Sequence, residues 1–152
     1  MSNTLEWTLT IDRSPEDVYD YLADFSKHAE WSPKPFTVLA QPDGPLAVGT
    51  TLRSSGQLPG SKKAHENVVT ITAADRGKRL AFDALEDGQT FVNTFDLAPE
   101  GAGTKLQRRL VLPHLGGIKQ VALPVLAALV IKPAVQKGLN MLKANLESSA
   151  SA

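Results

Sequence analysis

The sequence predicts an α+β domain in which an antiparallel sheet of about seven strands curls around a long C-terminal helix, and three observations carry that prediction. Leu5, Trp7, Leu9 and Ile11 alternate with Glu6, Thr8, Thr10 and Asp12, the period-two pattern of a strand with one buried face. Between Phe36 and Leu112 short β-favouring runs are separated by turn residues, at the spacing of an antiparallel meander. From Leu115 to Leu146 the pattern becomes helical: Val121–Ile131 (VALPVLAALVI) is almost unbroken apolar, and Val135, Leu139, Leu142 and Leu146 follow at spacings of four, three and four. A helix with so rich an apolar side needs a broad concave surface to cover it, and the sheet supplies one.

After the first strand, Ser14-Pro15-Glu16-Asp17 provides an N-cap hydroxyl, a proline at the first helical position and acidic groups in the first turn. Val18, Tyr21, Leu22 and Phe25 recur at helical spacing, so a helix is expected over Pro15–Ala23, with a further helical turn over Lys27–Trp31 ended by Ser32-Pro33-Lys34-Pro35. The expected meander strands are Phe36–Gln41, Thr50–Gly56, His65–Ala73, Arg79–Leu85, Thr90–Leu97 and Thr104–Leu112. Turn chemistry separates them at Pro42–Pro45, Pro59–Ser61, Asp75–Gly77, Glu86–Gly88 and Pro99–Gly103. Gly116 and Gly117 discourage helix, so the C-terminal helix is expected to begin near Ile118, with a kink or a join of two helices at Pro133. The same glycines, with Pro33, Pro35 and the Gly56–Lys63 turn, are the expected rim of an entrance. Residues 1–148 read as one domain and 149–152 as a frayed tail.

Composition narrows the functions. A chain of 152 residues can bury roughly two-thirds of its unfolded surface, enough for a core without staples. It has no cysteine, which excludes disulfide frameworks, thiolate nucleophiles and cysteine-held metals. Sixteen basic and sixteen acidic residues cancel, and the pI near 6.8 offers no field for nucleic acid or anionic lipid. Glu6 and Asp12 stand where a signal peptide has its basic and apolar regions, and Val121–Ile131 is shorter than the ~18 residues of a membrane span. The expectation is a cytoplasmic protein without nucleic-acid partner, membrane span or cofactor.

Catalytic signatures are absent: no G-x-S-x-G, H-E-x-x-H, P-loop or G-x-G-x-x-G occurs. His28, His65 and His114 stand in separate elements, with no metal-ligand spacing. Strand parity is more informative. His65 and Asn67 share a face with Val69, Ile71 and Ala73; Asn93 shares one with Phe91, Phe95 and Leu97; Arg108 shares one with Leu106, Leu110 and Leu112. A guanidinium on an apolar face is costly unless paired or hydrated, so it implies an internal partner, a wet cavity or a ligand. A bulge or a nearby strand end would instead send these groups to solvent. Glu66, on the outward face, reads as solvent-facing. Trp31 could close one end of a cavity or simply plug the core.

The order strand, helix, short helix, meander, long helix resembles the START-like, or helix-grip (SRPBCC), superfamily, in particular its polyketide cyclase/dehydrase-like branch. Ser14–Asp24 (SPEDVYDYLAD) looks like that branch's SPEEVWDYLAD opening, Trp31-Ser32-Pro33 like its W-x-P element, Val48-Gly49-Thr50 like its V-G-T, and Leu142–Glu147 like its LKxxLE ending. The resemblance implies a sheet curled around the C-terminal helix with an internal hydrophobic cavity for lipids, polyketides or isoprenoids. It implies that this chain binds or transfers a small, largely apolar ligand, with Trp31, Asn67, Phe91, Asn93, Arg108 and Leu129 as candidate ligand-binding residues. A cyclase or dehydratase is the alternative, with His65 as general acid/base and Arg108 stabilising an enolate. A third class is an interaction module like the Hsp90-activating domains, although the outward residues Thr70, Thr72, Thr94, Lys105, Gln107 and Arg109 form no apolar patch.

Overall fold

The computed structural model describes residues 4–32, 36–40, 46–57, 64–86, 88–114 and 116–149. Strand β1 (Thr4–Ile11) leads into helix α1 (Pro15–Ala23) and a 3₁₀ turn (Phe25–Glu30). Six strands follow: β2 (Phe36–Ala40), β3 (Thr51–Gln57), β4 (Ala64–Asp75), β5 (Arg79–Glu86), β6 (Gln89–Glu100) and β7 (Gly103–Val111). The chain ends in one helical run made of α2 (Ile118–Leu126), a π-turn (Ala127–Ile131) and α3 (Lys132–Ser149). The strands form one curved antiparallel sheet in the order β1-β7-β6-β5-β4-β3-β2, so only the β1–β7 pairing is non-local.

Local chemistry accounts for the elements. The Ser14 hydroxyl accepts the Asp17 amide N–H at 3.2 Å, and Pro15 opens α1, as the capping residues predict. Asp24 Oδ1 accepts the Ser26 amide at 3.1 Å and starts the 3₁₀ turn. At Gly103 the first residue of β7 passes so close to β1 that a Cβ there would run into the Ile11 carbonyl; only glycine permits this approach. The outward face is laced by ion pairs: Arg109 with Glu6 at 3.0 Å, Arg79 with Asp96 at 2.6 Å, and Arg53 with the exposed Glu66.

Most boundaries agree with the expected ones to within two or three residues, and three differences matter. A bulge between Ile71 and Ala73 shifts the register of β4 against β5, so that Ala74, opposite Leu80, packs on the core where Ala73 was expected. Strand β5 runs one residue past the expected Leu85 and carries Glu86 onto the inward face, where it is buried. The third difference lies in the C-terminal run. The amide of Lys132 bonds the Ala127 carbonyl, five residues back, so a π-turn stands directly before Pro133, which has no N–H to return to Leu129. The irregularity expected at Pro133 thus takes the form of a π-turn that joins two helical segments just before the proline.

The core lies between the concave face and α3. Leu139, Leu142 and Leu146 are buried with Ile11, Val18, Leu22, Phe95, Leu97 and Leu106, so the helical face read from the sequence is the packed one. Polar clamps fix this half of the helix: Arg13 Nη1 donates to the Leu146 carbonyl at 2.8 Å, the Asp12 amide to Glu147 Oε2 at 2.9 Å, and Asn145 Nδ2 to the Glu30 carbonyl at 3.0 Å. The preceding half differs from expectation. Leu123, Ala127 and Ile131 are buried, but Val121, Val125 and Leu129 of the same apolar run are solvent-exposed.

Candidate functional site

Register fixes what surrounds Arg108. Leu80, Phe95, Arg108 and Trp7 lie side by side on β5, β6, β7 and β1, and no bulge interrupts β6, β7 or β1 to turn them outward. The Arg108 guanidinium therefore sits between two aromatic neighbours, its carbon 4.9 Å from the Phe95 ring centre and 5.9 Å from that of Trp7. Trp31, delivered by the end of the 3₁₀ turn, closes a third side at 6.0 Å. Such a box favours a cation through the ring quadrupoles.

Hydrogen bonding leaves this cation under-satisfied. Arg108 Nη2 donates to Asn93 Oδ1 at 3.1 Å, and Asn93 in turn donates from Nδ2 to the Phe91 carbonyl at 3.3 Å. Arg108 Nε is buried with no hydrogen-bond partner, and so is the indole Nε1 of Trp31. Burial alone holds the guanidinium pKa down to about 10, with no acid acting on it. Among the described residues Glu86 is the buried acid of the inward face, but it lies six positions along β5 from Leu80, about 20 Å at strand rise. The site is thus a pair of buried donors facing an aromatic wall, and its natural complement is an oxygen acceptor, best an anionic or enolic one.

The wall continues behind Trp31. Phe25 stacks on His28 at 4.1 Å, His28 lies 4.8 Å from Trp31, Trp31 meets Phe95 edge-on at 6.3 Å, and Phe82 bridges Phe95 and Phe25. His28 Nε2 donates to the Leu22 carbonyl at 2.8 Å. Burial pushes its pKa down to about 4; the Leu22 bond opposes that shift and the Arg108 charge adds to it. His28 is therefore a neutral imidazole at neutral pH.

The sequence candidates divide accordingly. Trp31, Asn93 and Arg108 come together, with Phe91 half-buried beside Asn93 and packed against the core. Asn67 does not join them: it lies opposite Ser54 and Glu86, four positions along β4 from Ile71, about 13 Å from the row that contains Asn93. His65 is placed opposite Gly56 on β4, but its side chain lies outside the described residues, as do Pro33, Pro35 and residues 58–63 of the expected entrance. Leu129 is a correction. Its side chain is 72% exposed, because the helix turns Leu123, Ala127 and Ile131 inward. Among the described residues no group of three or more His, Cys, Asp or Glu side chains could hold a metal.

Two contributors, and one buried polar group that lies away from them, escaped the sequence reading. Trp7 was legible as an inward strand residue but not as a neighbour of Arg108, because their contact depends on the β1–β7 register. His28 carried no periodic signal, being buried by a 3₁₀ turn. Ser54, whose buried hydroxyl has no hydrogen-bond partner, sits on the inward face of β3 beside Asn67, where strand parity with Leu52 could have placed it.

Comparisons with known proteins agree with this architecture. Residues 3–147 match the family described as polyketide cyclase / dehydrase and lipid transport. Among solved structures, TTHA0849 from Thermus thermophilus is similar with a TM-score of 0.76 at 20% identity, over 98% of this chain and 99% of that one. Ms6760 from Mycobacterium smegmatis gives 0.73 at 17% identity, over 95% and 91% of the two chains. DynU16, described as a protein of the dynemicin biosynthetic locus, gives 0.68 at 14% identity, over 98% of this chain and 49% of its own. These likenesses establish the fold. No curated protein matches the sequence.

Proposed function

Because this chain belongs to the polyketide cyclase / dehydrase and lipid transport family, we propose that it binds or transfers a small, largely apolar molecule between the concave sheet and the C-terminal helix, with an oxygen of that molecule held by Arg108 and Trp31. The observation that carries this reading is the buried guanidinium with an open Nε beside the open indole N–H of Trp31. A buried donor without an acceptor costs about 1–3 kcal/mol, more when charged. An oxygen-bearing ligand recovers that cost, while Trp7, Phe95 and Phe82 contact its apolar body. Lipids and polyketide-like molecules both have this form, and the family's description names both classes. In this reading the protein works in the cytoplasm.

Binding without chemistry is the simpler account of these residues. A cyclase or dehydratase needs a proton carrier at the reacting carbon. Among the described residues His28 is the imidazole near Arg108, and its Nε2–H is already committed to the Leu22 carbonyl.

The test has two steps. Native mass spectrometry of the purified protein identifies any small molecule carried through purification. Titration with a fatty acid and the fatty alcohol of equal length, read by the emission of the chain's two tryptophans, then measures the charge preference. The acid should bind more tightly, and Arg108→Met should erase the preference while leaving alcohol binding nearly intact. Equal losses for both ligands would refute the assignment of Arg108 to the polar end.

A further inference from the structure

Val121–Ile131, the run that precedes α3, has no polar side. Leu123, Ala127 and Ile131 are buried, while Ile118, Val121, Val125 and Leu129, at spacings of three, four and four, are 87%, 78%, 60% and 72% exposed. A helix that is apolar all round is normally enclosed by protein or lipid, and large apolar side chains aligned on an exposed stripe mark a contact surface. The chain as a whole is charge-balanced and offers no net field for anionic lipid, but along this helical run the charges have one sign. From Ile118 to Leu146 the sequence contains Lys119, Lys132, Lys137 and Lys143 and no acidic residue. Lys132, next on the same stripe after Leu129, is exposed, as is Lys137. The first acid, Glu147, is occupied by the Asp12 amide at 2.9 Å and by Lys143 at 3.4 Å.

We propose that the exposed face of α2 and the π-turn docks on an anionic lipid surface, its aliphatic stripe entering the acyl boundary and its lysines meeting the headgroup charge. Length decides between lying on the bilayer and crossing it. Val121–Ser148 is long and apolar enough to span by composition, but α3 commits Leu139, Leu142 and Leu146 to the core of the sheet. What remains, nine residues of α2 and five of the π-turn, rises about 21 Å at 1.5 Å per residue. A hydrocarbon core of about 30 Å needs some 20 residues. The segment therefore lies in the interface plane. Charge decides between lipid and a second copy of this chain. A two-fold contact through the stripe would bring lysine-bearing helices together with no acid between Ile118 and Leu146 to receive them. Because the opposite side of the same turns faces the core, the docked segment offers an apolar ligand a continuous apolar route inward. The docking itself does not depend on that ligand.

Co-sedimentation of the purified protein with phosphatidylcholine vesicles, with and without phosphatidylglycerol, tests the proposal. The protein should sediment with the anionic vesicles and little with the neutral ones. Lys132→Gln and Lys137→Gln should each weaken partition to anionic vesicles about fivefold, the effect of one lysine near such a surface. Val121→Asp with Leu129→Asp should abolish it at an unchanged melting temperature, since neither side chain is in the core. Arg108→Met should bind vesicles like the wild type, which separates this face from the ligand site. Absence of sedimentation with either vesicle would overturn the proposal. So would binding indifferent to these four substitutions, or a dimer in solution that Val121→Asp dissolves.

Discussion

Replacing Arg108 by methionine removes the charge and keeps an unbranched side chain in the same space, and the structure sets the expected size of the effect. Burial lowers the guanidinium pKa from its ordinary value to about 10, which at roughly 1.4 kcal/mol per unit corresponds to about 3 kcal/mol of penalty for holding the charged form in the fold. Two favourable contacts offset it. The rings of Phe95, Trp7 and Trp31 contribute about 1–2 kcal/mol, and the bond to Asn93 about 1.5. Arg108→Met should therefore lie within about 1 kcal/mol of wild type, a shift of at most about 4 °C in the thermal midpoint of a domain this size. Loss of one partner of a buried ion pair would instead cost about 3–5 kcal/mol. The pH dependence has a definite sign. Below pH 10 the group is charged in both states and the folded state bears the whole penalty. As pH rises above about 10, the folded state releases its proton while the unfolded chain still retains it, so wild type gains stability relative to the variant. Scanning calorimetry of the ligand-free proteins checks both statements. A midpoint lowered by 10 °C or so would refute the reasoning, because it would mean that Arg108 is held by a pairing absent from this account.

Leu142→Ala removes a fully buried side chain from the seam between α3 and the sheet and should cost about 2–5 kcal/mol in chemical denaturation. Gly103→Ala puts a methyl group against the Ile11 carbonyl and should cost about 1–3 kcal/mol; amide exchange should speed up first in β1. For His28, with a folded pKa near 4 against 6.5, the unfolded chain binds a proton first on acidification, so stability should fall as pH drops from about 6.5 to 4, by about 3 kcal/mol. His28→Gln keeps a donor near the Leu22 carbonyl and should flatten this limb of the stability–pH curve. An unchanged acid limb would place the relevant titration elsewhere.

Elements and faces were readable from local chemistry. The cap at Ser14, the alternation in β1 and the spacing of Leu139, Leu142 and Leu146 each reflect a constraint acting within a few residues, and the structure agrees with all of them. It agrees equally with the inward parity of Asn93 and Arg108, because β6 and β7 run without a bulge. Parity failed at Ala73, where an inserted bulge residue changes the face without leaving a mark in the hydrophobic pattern. The rest depended on contacts between distant parts of the chain. Whether Arg108 meets an acid or an aromatic box is settled by the β1–β7 register, which brings Trp7 alongside it, and by the 3₁₀ turn, which lowers Trp31 onto it. Likewise Val121–Ile131 announces apolarity on every side, and periodicity cannot select an inward face for a helix that has no polar one. Tertiary packing made that choice: α3 is anchored through its leucines and its clamps to Asp12, Arg13 and Glu30, so the direction of α2 follows from the direction of α3, and Leu129 is left in solvent while Ile131 enters the core.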